Sequence, residues 1–257
     1  MPAIDRRTMR RRERALAALD PVMARLIDAA GPCLIEAPHE RPPFEALASA
    51  IAHQQLNGAV AKRILERFTA IYAPAGFPHP SAVIATEEAA LRAAGFSFSK
   101  IRALRDLADK CVCGIVPTVD EMHALDNEAI IERITQVRGI GRWTVEMLLM
   151  FQLGRPDVLP VDDYGVCNGF RLAYGLKGMP RPRALAEFGQ RWAPYRSVAA
   201  WYLWRAVDLA REKKLPAPAG RAPRVALRVT REKPKRAKPR RVKPSRAKRP
   251  RAKRKRA

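Results

Sequence analysis

Two short stretches of this chain hold residues whose types and spacing could do chemistry. The first is Gln136-Val137-Arg138-Gly139-Ile140-Gly141-Arg142-Trp143-Thr144, in which two glycines flank one apolar residue between two helical patterns. Glycine permits the positive φ and the close backbone approach that a tight turn between helices needs. Gly141 would leave free backbone N–H groups at the start of the next helix, where the macrodipole favours an anion such as phosphate. The second stretch is Leu159-Pro160-Val161-Asp162-Asp163-Tyr164-Gly165-Val166, with two adjacent carboxylates after a proline. The ordinary work of such a pair is to cap the helix that follows, and Asp162 is the residue expected to do it. Two anions beside a phosphate-binding turn would repel a polyanion, so a protein that only binds one gains nothing from them.

Other candidates carry less. The four cysteines, Cys33, Cys111, Cys113 and Cys167, are too few and too irregularly spaced for a disulfide framework. Cys111 and Cys113 could supply two metal ligands, but no second pair follows at a suitable spacing, so buried or idle thiols in a reducing compartment are expected and no metal site. His53 has no evident metal partners and is expected to be solvated or hydrogen-bonded.

The elements that must position these residues are helices. Apolar residues return at helical spacing from Ala15 to Ala30, and a longer helix is suggested from Phe44 to about Tyr72. The same period continues at 88–94, 101–110, 127–135, 143–153, 184–192 and 197–209. Strand-like alternation is scarce, and Pro/Gly clusters at 73–80, 154–160 and 178–182 separate the helices, so an all-α fold is expected. No apolar run approaches the roughly twenty residues of a membrane span, and the N-terminus is too polar for a secretory signal. A soluble, cytoplasmic protein is the expectation.

Charge divides the 257 residues unevenly. The formal net charge is +24, and about three quarters of it lies after Arg221, where roughly nineteen Lys and Arg face the single Glu232. Three regions follow: a basic N-terminal extension at 1–14, a helical body at 15–214, and a tail at 215–257 rich in Lys, Arg, Ala and Pro. Such a tail cannot offset its ordering entropy by apolar burial, so disorder and a nonspecific DNA tether are expected.

Five blocks, in order, resemble the helix-hairpin-helix DNA glycosylase superfamily, and within it the alkyladenine glycosylases of the 3-methyladenine DNA glycosylase II type. They are Ala50-Ile51-Ala52-His53-Gln54-Gln55-Leu56, 95–108 with Lys100, 139–144, 159–166, and Trp192-Ala193-Pro194-Tyr195-Arg196-Ser197 ahead of Trp204. The resemblance runs from about Leu19 to Leu209 and implies two helical lobes with a cleft between them. It implies a monomer acting on double-stranded DNA with alkylated bases. Gly139, Ile140 and Gly141, flanked by Arg138, Arg142 and Thr144, would hold the DNA backbone, and Gln55 would be the wedge that fills the gap left by a flipped nucleotide. Gln54 is expected only to bond neighbouring backbone.

The resemblance also assigns chemistry. Breaking the base–sugar bond passes through an oxocarbenium-like state, which a carboxylate stabilises. Matching the Asp-Tyr-Gly-Val pattern puts that role on Asp163, with Asp162 as runner-up. Superfamily members that also cut the strand carry a Schiff-base lysine two residues after the second hairpin glycine, where this chain has Trp143, so release of the base by water is implied. Trp143, Tyr164 and Trp204 are the candidate walls of an aromatic base pocket. Arg205 stands where some relatives have a pocket tyrosine, which leaves the range of accepted bases open. No cysteine follows Cys167, so no iron–sulfur cluster is expected, and no cofactor beyond the monovalent cation that related hairpins can hold. A noncatalytic DNA-binding protein and a glycosylase for other damaged or mismatched bases are the alternatives.

Overall fold

A computed structural model of the protein describes residues 6–35, 41–218 and 223–227. In chain order its helices are α1 (Arg6–Leu19), α2 (Pro21–Ala30), α3 (Pro43–His53), α4 (Gly58–Ala70), α5 (Pro80–Ala85), α6 (Glu88–Ala94), α7 (Phe98–Val112), α8 (Val119–Ala124), α9 (Asn127–Ile134), α10 (Arg142–Phe151), α11 (Tyr164–Ala173), α12 (Pro182–Gly189) and α13 (Arg196–Arg211). Among the described residues the fold is all-α, with one isolated bridge between Pro180 and Leu227.

The helices sort into two groups. A central lobe packs α7 against α3, α5 and α6, joins α3 and α6 to α4, and carries the α9–α10 pair; a terminal lobe packs α13 on α2 and α11, with α1 along α2. Gly169 of α11 lies against the backbone of α13. A Cβ there would stand 1.8 Å from the Leu203 carbonyl oxygen of α13, so only glycine lets these backbones touch. Two buried acids brace the terminal lobe. Asp20 caps α2 by accepting from the Val22 N–H and also accepts from the Tyr174 hydroxyl and the Trp192 indole. Glu13 accepts from the Cys33 N–H and the Tyr202 hydroxyl. Burying a carboxylate is costly unless it is bonded in this way.

Several expected boundaries move. The single helix expected over Ala15–Ala30 is two, because Asp20 ends α1 and caps α2. The N-terminal extension expected at 1–14 is, from Arg6 on, the body of α1, which buries Met9 and Glu13. The long helix expected from Phe44 breaks at 54–57, where Gln55 adopts φ +58° and Asn57 caps α4. Part of the tail expected to be disordered from 215 is ordered: Leu215, Val225 and Leu227 pack against the core, and the Arg181 N–H donates to the Ala226 carbonyl at 2.7 Å. Residues 228–257, most of that tail, lie outside the described residues, as do 1–5, 36–40 and 219–222.

Candidate active site

The hairpin joining α9 to α10 is built by backbone. Val137 and Ile140 are buried and plug it into the core, and Gly139 turns it at φ +78°. Gly141 is the N-cap of α10, has no side-chain cap, and nothing stands within 4 Å of where its Cβ would be. The Arg142 and Trp143 N–H groups have no acceptor among the described residues, which leaves them free for an anion. Ile140 can offer DNA only its backbone. The Arg138 N–H donates to Asp106 Oδ2 at 2.6 Å, which fixes the turn and leaves the Arg138 side chain exposed. The Gly139 carbonyl accepts from Gln54 Nε2 at 2.9 Å, and the Val137 carbonyl accepts from the Ile140 N–H. Each oxygen keeps a second lone pair.

Arg142 departs from its expected part. Its guanidinium is bound by Glu128 through Nη1 and Nη2 at 2.8 and 2.5 Å and by the buried Glu146 through Nε at 3.0 Å, so it is paired within the chain although Arg142 and Glu128 both remain exposed. That pairing, led by the Glu128 hydrogen bonds, raises the Arg142 pKa. Glu146 is buried, and burial pushes its carboxyl up to about 7, opposed by Arg142 and assisted by Asp162 and Glu128. Thr144 turns into the cleft behind the hairpin and lines it.

The carboxylate site draws on three helices. Asp163 is the N-cap of α11, and Oδ1 accepts from the Val166 N–H at 2.7 Å. The same Oδ1 accepts from the Trp204 indole of α13 at 2.8 Å, and Oδ2 accepts from the Trp143 indole of α10 at 2.8 Å. Asp162 is exposed and does not cap, so the cap expected chiefly of Asp162 is made by Asp163. Gly165 makes this possible, since a Cβ there would lie 2.7 Å from Trp204 Cδ1 and 3.1 Å from Asp163 Oδ1. The loop that delivers Asp163 is pinned by a bidentate pair, Arg196 Nε and Nη2 to Asp157 at 2.7 and 2.8 Å, and by Ser197 Oγ, which donates to the Arg155 carbonyl and accepts from the Val158 N–H.

A cleft of about 470 Å³ lies between α3 and α10, lined by Ala50, His53, Gln54, Gln55, Trp143, Met147 and Phe151 among others. Trp143 forms one wall and is 49% exposed, as a ring awaiting a stacking partner would be. Trp204 joins through Phe151, whose ring stacks on it at 6.0 Å. Tyr164 does not join. It is 73% exposed at the first turn of α11 and makes no ring contact with either tryptophan. Arg205 points along α13 to Asp208. Gln55 stands exposed at the cleft rim in its left-handed conformation, beside the 40% exposed Leu56, which sequence reasoning did not single out. Gln54 does bond backbone, but that of the hairpin rather than its neighbours, tying the rim to the turn at Gly139. His53 Nδ1 pairs with the Ser49 carbonyl of its own helix. Phe151, Gly165 and Gly169 were also missed; the apolar period of α10 was the only available signal for the first, and two glycines in one short helix for the others.

A two-lobed helical fold with a hairpin whose amides face outward and a carboxylate between two indoles is the architecture of a base excision DNA repair protein. Residues 48–194 match the HhH-GPD superfamily of base excision DNA repair proteins, and the chain belongs to that superfamily. It is 42% identical over 171 residues to DNA-3-methyladenine glycosylase 1 of Schizosaccharomyces pombe, covering 66% of this chain and 75% of that one. Among solved structures it is similar to the Schizosaccharomyces pombe 3-methyladenine DNA glycosylase in complex with abasic DNA, at TM-score 0.66 and 39% identity over 78% of this chain and 98% of that one. It is similar too to a DNA-3-methyladenine glycosidase from Bacillus halodurans, at TM-score 0.73 and 32% identity over 83% and 95% of the two chains.

Proposed function

We propose that this protein hydrolyses the N-glycosidic bond of alkylated purines such as 3-methyladenine in duplex DNA, releasing the base and leaving an abasic site uncut. The observation that carries this reading is the Asp163 carboxylate, held by the two indole N–H groups of Trp143 and Trp204 at the edge of an aromatic cleft. A carboxylate has about four lone-pair positions, and three N–H donors occupy three of them, leaving one for the attacking water. The two indoles thus act twice: they orient the anion that faces the sugar, and their faces receive a flipped base. An alkylated purine is cationic, which favours its stacking between such rings. Trp143 stands where strand-cutting relatives need a lysine, so water is the nucleophile.

In this reading the amides after Gly141 take a phosphate, and Gln55 enters the space vacated by the flipped nucleotide. Arg142 supports the hairpin through Glu128 and Glu146 rather than touching DNA. Its place of work is DNA in the cytoplasm; the free thiols of Cys33, Cys111, Cys113 and Cys167 suit a reducing compartment. Among the described residues no helix is long and apolar enough to cross a membrane.

The test is incubation with duplex DNA methylated by a simple alkylating agent, with free base and strand nicks assayed separately. Base release without nicks before alkali is expected, lost in Asp163→Asn. Undiminished release in that variant would move the role to Asp162. No release from any alkylated or deaminated substrate would leave a DNA-binding protein only.

A further inference from the structure

We propose that the outer face of α1 is a second surface for the phosphates of duplex DNA, separate from the hairpin; this rests on the reading that the protein acts on duplex DNA. Helix α1 reads RRTMRRRERALAAL and buries Met9, Glu13 and Leu16 against the terminal lobe. Arg6, Arg7, Arg10, Arg11 and Arg14 all remain exposed. The one acid of the helix cannot neutralise them, because Glu13 points inward to the Cys33 N–H and the Tyr202 hydroxyl. None of the five guanidiniums has an acidic partner among the described residues. Elsewhere Arg142, Arg183, Arg196 and Arg205 each have one.

This arrangement works against the helix that carries it. Arg6 and Arg10, Arg7 and Arg11, and Arg10 and Arg14 are like charges one turn apart, which repel. The first turn has no acid to meet the macrodipole. A polyanion on this face removes both penalties. From Arg6 to Arg14 the helix rises about 12 Å, a length over which a duplex presents about seven phosphate charges. Guanidinium matches phosphate oxygens in two-point contacts that an ammonium cannot make. A lipid surface fits less well, because a helix lying in one needs apolar side chains beside its cations. The apolar residues of α1 at 9 and 16 are buried in the body, and the exposed Leu19 lies beyond the arginine run. The hairpin belongs to the central lobe and α1 to the terminal lobe, so the two surfaces grip DNA independently.

The experiment replaces all five arginines by glutamine in the full chain, and by lysine in a second variant, and measures affinity for undamaged duplex across a salt series. Each phosphate contact contributes about 0.9 to the slope of log K against log salt, so the glutamine variant is expected to lose about 4 to 5 from that slope. Lysine at the same positions should restore most of it. Single-turnover base release at saturating enzyme should be unchanged in both. An unaltered slope would overturn the proposal, as would a lysine variant as weak as the glutamine one with an equally lowered melting temperature. So would a glutamine variant that keeps its DNA slope but loses binding to phosphatidylglycerol vesicles. Failure of the wild type to release any base would count against the enzymatic reading alone, because the slope is measured on undamaged DNA.

Discussion

The hairpin at 137–141 and the carboxylate at 163 lie close in sequence yet are built on opposite plans. The hairpin is a backbone device: its proposed anion site is made of amide groups, and its side chains either plug the core, as Val137 and Ile140 do, or lie outside the turn. The carboxylate site is a side-chain device assembled from α10, α11 and α13, in which Asp163 accepts from one backbone and two indole N–H groups. A backbone device can recur wherever a phosphate must be held. A side-chain device that fixes one anion against two aromatic faces commits the protein to a reaction. Damage to the first should therefore weaken affinity, and damage to the second should slow the chemical step.

The largest expected effect is on Asp163→Asn. Asparagine caps a helix as well as aspartate, so the melting temperature should hold while single-turnover base release falls on the order of a thousandfold. A matching fall in stability would erase the contrast and make Asp163 a structural cap. Next is Gly169→Ala, which sets a Cβ against the Leu203 carbonyl and should cost about 3 kcal/mol in urea unfolding. Its rate should fall only as far as α13 and Trp204 are displaced. Trp204→Phe keeps an aromatic face but removes one donor to Asp163, and should slow base release roughly thirtyfold, about 2 kcal/mol, with little change in DNA affinity.

The hairpin side of the comparison is tested by Gly139→Ala. Its φ of +78° makes any side chain strained, at about 1 kcal/mol, so DNA affinity should drop with the rate at saturating enzyme preserved. The smallest effect concerns pH. Burial raises the folded-state pKa of Glu146 from 4.5 to about 7. The folded protein then keeps a proton that the unfolded chain releases, and stability falls as pH rises through that window. Glu146→Gln should flatten this fall, seen as melting temperatures that vary less between those limits. An unchanged slope would mean that Arg142 holds the carboxylate ionised throughout.

Much of the frame was legible because it is local. The periods at 88–94 and 127–135 became α6 and α9 almost residue for residue, since caps such as Asp126 lie beside the helices they start. Breaks set by single side chains were harder. Asp20 splits one apolar period into two helices, and Gln55 turns another by adopting φ +58°, a conformation that nothing in its residue type announces. The site divided in the same way. Trp143 could be located by counting from Gly141, whereas Tyr164, equally aromatic and next to Asp163, lies on the outside of α11.

The sequence by itself determined most of the helices, the glycine hairpin and the candidate acids, because each depends on neighbours within a few positions, and the resemblance added the missing lysine. Only the tertiary structure decided which acid is held, which tryptophans hold it, that Arg142 is bound by Glu128 and Glu146, and that the arginines of α1 have no such partners. The hold on Asp163 depends on close approach between segments 20 and 41 residues apart, and the Arg142–Glu128 pair on segments 14 apart, with α11 passing over α13 at Gly169; a one-dimensional pattern carries no record of distance across the fold.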